Sequence, residues 1–346
     1  MKKIFMVGYY GQNNFGDDLL LKSFIKVLCE IKFDGLLSIP FDKEWETPKE
    51  KLTFQIQKIN KFDFLNLSKH IKSSDIVIFG GGNLFQTETS FRSFYYYYYV
   101  AKTAVTNNKP FLLLSQGFGP MKNKYAHSLL KKILKNEKTT AVFRDKTSYI
   151  YSRRYNSSSF LGTDIAPYAI NVRIKNNIKK ENKISICLKN NYENMNDLIK
   201  FVSLFDNYDI STLIINSNQD TMMNYNFVEK LRDENHLEAS FPIKETEKVL
   251  EEIQTSSIVI SDRLHSSLIS IYSGGITLTY RNSKNIRVLK TIDENYNFFY
   301  KNLVDLPKIY FDLKEKEFDF EIMSKNFDLK VYETIKKIKE IIQNVL

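Results

Sequence analysis

Short runs of β-branched and aromatic residues alternate with longer helix-period segments along most of this 346-residue chain. No other feature constrains the fold as strongly, because the two periodicities bury different faces. In the first half, strands are predicted at 3–7, 36–39, 75–79, 111–115, 140–143 and 159–161, and helices at 17–31, 91–107, 124–136 and 147–155. Strands alternating with helices argue for parallel βαβ units buried on both faces, hence a doubly wound sheet. The alternation lapses at 171–183, a polar, basic stretch without useful periodicity that reads as a linker. It then restarts, with strands predicted at 184–188, 212–216, 258–261 and 276–280 and helices at 193–205, 224–232, 244–255 and 263–272. The expected organisation is a Rossmann-like domain over 1–170, the linker 171–183, a second Rossmann-like domain over 184–325 and a C-terminal helix over 326–346. In open α/β sheets ligands sit beyond the carboxyl ends of the strands, so two such domains imply one central cleft that both face.

That last helix is amphipathic. Leu329, Ile335, Ile338, Ile342 and Val345 share one face, with Lys330, Lys336, Lys337 and Lys339 largely elsewhere. It either packs on a domain, the commoner use of such a face, or lies on a membrane surface. Charge leaves a similar choice. Fifty Lys and Arg against 40 Asp and Glu give a net +10, which suits a nucleic acid, an anionic membrane or an anionic small molecule. Part of the lysine excess, and the run Tyr95 to Tyr99, fit the coding bias of an AT-rich genome. A helix wet on one side tolerates such a run, since tyrosine has an apolar body and a polar tip.

Two distant cysteines, Cys29 and Cys187, cannot make a zinc knuckle or a disulfide scaffold, and a reducing cytoplasm suits them. The two N-terminal lysines superficially suggest a signal peptide, but the apolar stretch after them runs into Gly, Asn and Asp without a small-residue cleavage site. The uncharged run from Ser266 to Tyr280 is broken by Gly274 and Gly275 and falls short of the roughly 20 apolar residues that span a bilayer. The expected location is cytoplasmic, with peripheral contact at the inner face of the membrane left open.

Six loops at predicted strand ends are able to hold chemistry. The first, GYYGQNNFGDD, carries Gly11, Asn14, Gly16 and Asp17 between a strand and the helix it opens. Gly11 and Gly16 have phosphate-loop spacing, but Asp17 stands where that loop needs Lys. Either the loop approaches an anion or it is a tight turn with Asp17 capping the helix. The second holds Gly80, Gly81, Gly82 and Asn83. Three consecutive glycines in a chain with only 12 suggest backbone lying against a ligand. The third has Gln116, Gly117 and Gly119. In the fourth, Arg144 either reaches the cleft or pairs with Asp145. The fifth puts Asp164 at the same rim. The sixth, SDRLHSS, is sharpest: Arg263 offers a planar fork to a carboxylate or phosphate, and His265 can move a proton near neutral pH. Its bland alternative is a helix start capped by Asp262, with Arg263 in an exposed ion pair. His70, His127 and His236 lack metal-ligand spacing and read as surface residues.

Taken in order, GYYGQNNFGDD, GGGNLFQ, QGFGP, FRDKTS, GTDIAP and SDRLHSS resemble the polysaccharide pyruvyl transferase family over about residues 5–290. The resemblance implies a GT-B-like fold and a bacterial cell-envelope role. The implied reaction moves a pyruvyl group from phosphoenolpyruvate to a sugar of a surface polysaccharide or its lipid-linked precursor, forming a pyruvate ketal. Thr87 departs from the family, whose members commonly carry Asp after the glutamine of the triple-glycine loop, and Tyr280 to Lys284 matches a later family loop only loosely.

Such chemistry needs a cationic clamp, a proton donor and a hydroxyl-activating base. Arg263 is assigned to the anionic donor, His265 to proton transfer and Arg144 to a second anion contact. The glycine loops would supply backbone donors, and Asp17 and Asp164 are candidates to orient hydroxyls or act as base. Asn14, Asn83, Gln116, Ser266, Tyr280 and Lys284 complete the expected substrate-binding set. No metal or cofactor is called for. Three alternatives stand beside this reading: a GT-B glycosyltransferase with a nucleotide-sugar donor, a basic nucleic-acid-binding protein and an inactive binding module. Dispersed lysines and the lack of any nucleic-acid motif place nucleic acid outside the expected partners. The acceptor sugar and the oligomeric state stay open.

Overall fold

The computed structural model describes residues 1–41, 52–88, 90–170, 178–235 and 241–346. They form two compact α/β units. One comprises Met1–Gln12, Asp17–Ala169 and Lys330–Leu346; the other comprises Asn13–Gly16 and Ile170–Leu329.

The first unit is built on a seven-stranded parallel sheet in the order β3-β2-β1-β4-β5-β6-β7. Its strands are β1 (Lys3–Val7), β2 (Leu36–Phe41), β3 (Gln55–Asn60), β4 (Ile76–Phe85), β5 (Phe111–Phe118), β6 (Thr139–Phe143) and β7 (Ser159–Leu161). Helices α1 (Phe15–Glu30), α2 (Phe64–Ser73), α3 (Phe91–Thr106), α4 (Lys124–Leu134) and α5 (Lys146–Arg153) connect them. Side-chain caps start four of these helices: Asp63, Ser90, Asn123 and Asp145 accept from Asn66, Ser93, Tyr125 and Ser148 backbone N–H groups. Phe79 of β4 is fully buried, with Phe85, Tyr97 and Phe111 rings around it at centroid distances of 5.3, 6.1 and 4.9 Å. Burial of a side chain of this kind contributes about 1.5–3 kcal/mol.

The second unit has a five-stranded parallel sheet, β12-β11-β10-β8-β9, made of β8 (Glu181–Cys187), β9 (Asp209–Thr212), β10 (Ser256–Ser261), β11 (Ile276–Tyr280) and β12 (Phe299–Tyr300). With β8 counted first, the order reverses between β8 and β10, as that of the first sheet does between β1 and β4. Its helices are α6 (Asn196–Val202), α7 (Thr221–Asn235), α8 (Thr246–Thr255), α9 (Leu264–Tyr272), α10 (Ser283–Ile292) and α11 (Leu306–Glu315).

Helix α12 (Phe320–Val345) starts before the expected residue 326. Phe320, Met323 and Phe327 are buried in its first half, and Val331, Ile335, Ile338 and Ile342 in the half that belongs to the first unit. Leu329, expected on the apolar face, is exposed. Packing on protein therefore occupies this apolar face, and Lys337 lies over the Phe160 ring at 4.4 Å. Among the described residues no helix is long and apolar enough to cross a membrane.

Other boundaries also differ from expectation. Residues 171–177 of the expected linker lie outside the described residues, but Glu181 to Lys183 already pair in β8. Strand β9 ends at Thr212, where the predicted strand began, and α6 is shorter than the predicted helix 193–205.

Candidate active site

In the second unit, the carboxyl end of β10 delivers Ser261, Asp262, Arg263 and His265. Asp262 does not cap α9. Its Oδ2 accepts from the Lys189 and Asn190 backbone N–H groups at 2.7 and 2.9 Å, and its Oδ1 from the Tyr192 and Tyr300 hydroxyls at 2.5 and 2.7 Å. The carboxylate thus ties the loop after β8 and the short strand β12 to β10. Burial and its negative charge push both tyrosine hydroxyls well above their ordinary range.

Arg263 occupies the N-cap position of α9 in extended backbone, without a side-chain capping bond. Its guanidinium is not in an exposed ion pair. Nε donates to both Asp220 carboxylate oxygens at 3.2 and 3.1 Å, and Nη2 to Asp220 Oδ1 and, at 2.9 Å, to Gln219 Oε1. Asp220 is fully buried and also accepts from the Asn216 backbone N–H at 2.8 Å. Two of the three guanidinium nitrogens are therefore fixed, which orients the remaining edge at Nη1.

His265 lies in the first turn of α9, 6% exposed. A Cβ built on Gly16 would fall 1.7 Å from His265 Nδ1, so only glycine admits this ring against the first loop. The same loop is anchored by Phe15 N–H donating to Ile215 O at 3.0 Å and by the bridge between Asn14 and Asn216. Gly16, Asn14, Arg263 and His265 thus gather within one unit. Ser266 is fully buried, with its Oγ 2.5 Å from Ser261 Oγ and 3.0 Å from Arg263 O, so it fastens the helix start and is closed to a ligand. Burial pushes the neighbouring Cys187 thiol up to about 12. Tyr280, at the end of β11, packs edge-on to Tyr300 and accepts from Asn285 Nδ2 at 2.8 Å, while Lys284 is half-buried in the first turn of α10.

The first unit holds the remaining expected residues, and several are used up by the fold. The triple glycine is not a loop, because Gly80, Gly81 and Gly82 continue β4. The Tyr10 hydroxyl donates to Gly80 O and occupies the position of a Gly80 side chain, while Leu20 covers Gly81. Gly81 and Gly82 have φ of +81° and +88°, in the left-handed region. At Gly82 the nearest atom to a built Cβ is Asp17 Oδ1 at 3.5 Å, so this is the one member of the triplet with room around it.

Gln116 and Gly117 likewise continue β5, and fully buried Gln116 spends its amide on Phe79 O and Gly81 O. Asn83 donates to Gly119 O. Gly117 gives the Arg144 and Asp145 side chains room, since a Cβ there would sit 3.3 and 3.1 Å from Arg144 Nε and Asp145 Oδ2. Arg144 does not pair with Asp145. It is 1% exposed, and Nη1 is paired with Asp164, itself fully buried. Asp164 Oδ1 also accepts from Ala166 N–H at 3.0 Å, so both are structural and neither lies at a rim. Thr87 Oγ1 accepts from Lys122 N–H at 2.9 Å.

Asp17 and Asp18 lie in the first turn of α1. The Asp17 charge contributes to raising the buried Tyr10 and Tyr97 hydroxyls, after desolvation. Burial, and then the Asp17 charge, push the Asp18 carboxyl up to about 6, against the opposing hydrogen bond from Gly11 N–H at 3.3 Å. His127 is more engaged than a surface residue, with Nε2 3.1 Å from Met121 O. His236 lies outside the described residues. Among those described, no group of three His, Cys, Asp or Glu is arranged to hold a metal ion.

Asp18 and the pair Gln219 and Asp220 were not among the expected residues. Asp18 was legible as the second half of a carboxylate pair opening a helix. The polar pentad from Asn216 to Asp220, between a strand and a helix, was a weaker signal of the same kind.

The sequence profile of the polysaccharide pyruvyl transferase family matches residues 14–275. No curated protein sequence matches the chain. Solved structures match along its whole length at low identity. UDP-GlcNAc 2-epimerase from Neisseria meningitidis, bound to UDP-GlcNAc, is 10% identical, with 100% of this chain and 99% of that one covered and a TM-score of 0.62. Anabaena HepE, in complex with UDP and glucose, is 8% identical over 99% and 100%, TM-score 0.60. A glycosyltransferase from Rickettsia africae is 12% identical over 99% and 98%, TM-score 0.59. At such identities the likeness is one of fold, and it is GT-B-like with two Rossmann-like units.

Proposed function

Since the chain belongs to the polysaccharide pyruvyl transferase family, we propose that it transfers the pyruvyl group of phosphoenolpyruvate to a sugar of a surface polysaccharide or its lipid-linked precursor. The observation that carries this reading is the Arg263 fork, held on buried Asp220 with His265 two residues on. Phosphoenolpyruvate bears a carboxylate and a phosphate, and a pre-oriented guanidinium edge suits either. Protonation of the methylene carbon makes the central carbon electrophilic, and a sugar hydroxyl adds there as its proton passes to a base. A second hydroxyl of the same sugar then displaces phosphate and closes the ketal. His265 is the proton carrier in this scheme: it protonates the methylene carbon and then takes the proton of the first hydroxyl, while the proton of the second leaves with phosphate. Arg144, buried on Asp164, drops out of the donor clamp, and Asp164 drops out of the candidate bases. The scheme draws on no cofactor or metal.

Incubation with phosphoenolpyruvate and the source organism's own envelope oligosaccharides tests the reading. Phosphate release together with the mass increment of a pyruvate ketal on the sugar is the expected result. Thermal stabilisation by UDP- or GDP-sugars without any such product would overturn it. His265→Ala is expected to cost about 10²- to 10⁴-fold in turnover. Arg263→Lys, which loses the planar two-point contact, is expected to cost about 1.5–3 kcal/mol of donor interaction. An unchanged kcat/KM for phosphoenolpyruvate in that variant would remove Arg263 from the clamp.

A further inference from the structure

The run Tyr95 to Tyr99 has no role in the chemistry above, yet four of its rings line a cavity of about 800 Å3 inside the first unit. The cavity opens at the carboxyl ends of β1, β2 and β3. Tyr9, Tyr10 and Gln12 follow β1, Lys61 and Phe62 follow β3, and Phe64 and Phe91 begin α2 and α3. Its size is that of a small-ligand site.

The rings are already held in place. Phe64 meets Tyr99 and Tyr96 edge-on at 5.2 and 6.4 Å, Tyr96 meets Tyr97 at 5.1 Å, and the Tyr99 hydroxyl donates to Phe64 O at 3.2 Å. Others remain unsheltered, with Tyr95 51% and Tyr9 39% exposed. A concave wall of fixed, half-covered aromatic faces gains from any ligand with a flat apolar surface.

The polar atoms narrow the choice. Beside the rings, the lining includes the polar ends of Tyr9, Gln12, Lys61, Arg92 and Tyr95. An alkyl chain would cover the rings but make no use of those ends. A pyranose has an apolar C–H face to lie on a ring and a rim of hydroxyls that both donate and accept, which matches tyrosine rings tipped with hydroxyls.

We infer that this cavity is a saccharide subsite, in which one sugar stacks on the α3 tyrosines and turns its hydroxyls to the polar ends of the lining. That the sugar is the acceptor of the transfer rests on the function proposed above; that it is a saccharide does not.

Saturation-transfer NMR on the full chain tests the inference, with methyl glycosides of common hexoses and the source organism's envelope oligosaccharides as probes. Saturation of C–H protons on one sugar face is expected, with binding weakened about tenfold in Tyr95→Ala, the equivalent of one lost stacking contact of about 1.4 kcal/mol. Tyr95→Phe keeps the stacking face and removes the hydroxyl, so saccharide affinity is expected to fall about threefold, less than in Tyr95→Ala. No saturation of any probe, displacement of the sugar by farnesyl phosphate or UMP, or unchanged affinity in both variants would overturn the inference. Saccharide binding without pyruvyl transfer would sink the proposed reaction and leave the subsite standing. Transfer with an acceptor KM indifferent to both substitutions would do the reverse.

Discussion

Gly16 is glycine because an imidazole occupies the place of its side chain. Gly16→Ala is expected to displace His265, at an overpacking cost of about 1–3 kcal/mol. The imidazole cross-peaks in a 15N spectrum should move, and a spectrum superposable on the parent would contradict the contact. Asp18 offers a pH-dependent counterpart. Its folded carboxyl titrates near 6 against an ordinary 3.8, so the folded state favours the protonated form. The resulting stability is complete below about pH 4 and is lost as pH rises through 6, by roughly 3 kcal/mol for the full shift. Asp18→Asn, which keeps an acceptor for Gly11 N–H, is therefore expected to raise the melting temperature at pH 7.5 and leave it unchanged at pH 4. An equal effect at both pH values would show that Asp18 carries no such penalty.

Among elements, β10 and the start of α9 carry the densest set of interactions in the second unit, and Asp262 is their junction. Four donors converge on that carboxylate, so Asp262→Asn exchanges one acceptor oxygen for an amide that faces donors. Denaturant unfolding is expected to lose about 2–4 kcal/mol. A loss under half a kcal/mol would mean that the loops after β8 and β12 stand without it.

The elements that were legible in the sequence are those with continuous apolar cores, such as residues 3–7 and 111–115. Strand β3, QIQKIN, buries only Ile59 fully at the sheet edge, and α2 buries only Leu67 and Ile71, so neither leaves an apolar run. Of the candidate site, Arg263 and His265 stood out in the sequence because their residue types advertise chemistry. Asp220 did not, because its meaning depends on Arg263 being across from it. Nor could spacing tell that Gly80 makes room for Tyr10, or that Arg144 and Asp164 would meet in the core. In each case the deciding partner is remote along the chain.

At the scale of the whole molecule, two features complicate a division at residue 170. Asn13–Gly16 belong to the second unit, and Lys330–Leu346 to the first. The returning helix is secured by Thr163 N–H donating to Thr334 Oγ1 at 3.0 Å and by Lys339 on Glu30 at 2.6 Å. A chain ending at residue 329 should lose protection from amide hydrogen exchange in β7 and the C-terminal part of α1, while β8, β10 and β11 keep theirs. Uniform loss across both sheets would show instead that the chain unfolds as one.

The return of α12 also bears on the order of events during synthesis. Domains usually fold as they leave the ribosome, the N-terminal one first, at about 5–20 residues per second. Here the apolar surface that Val331, Ile335, Ile338 and Ile342 cover waits until the second unit has been made. The sheet that is translated first is completed last, and for that interval its uncovered flank is a natural landing place for a chaperone.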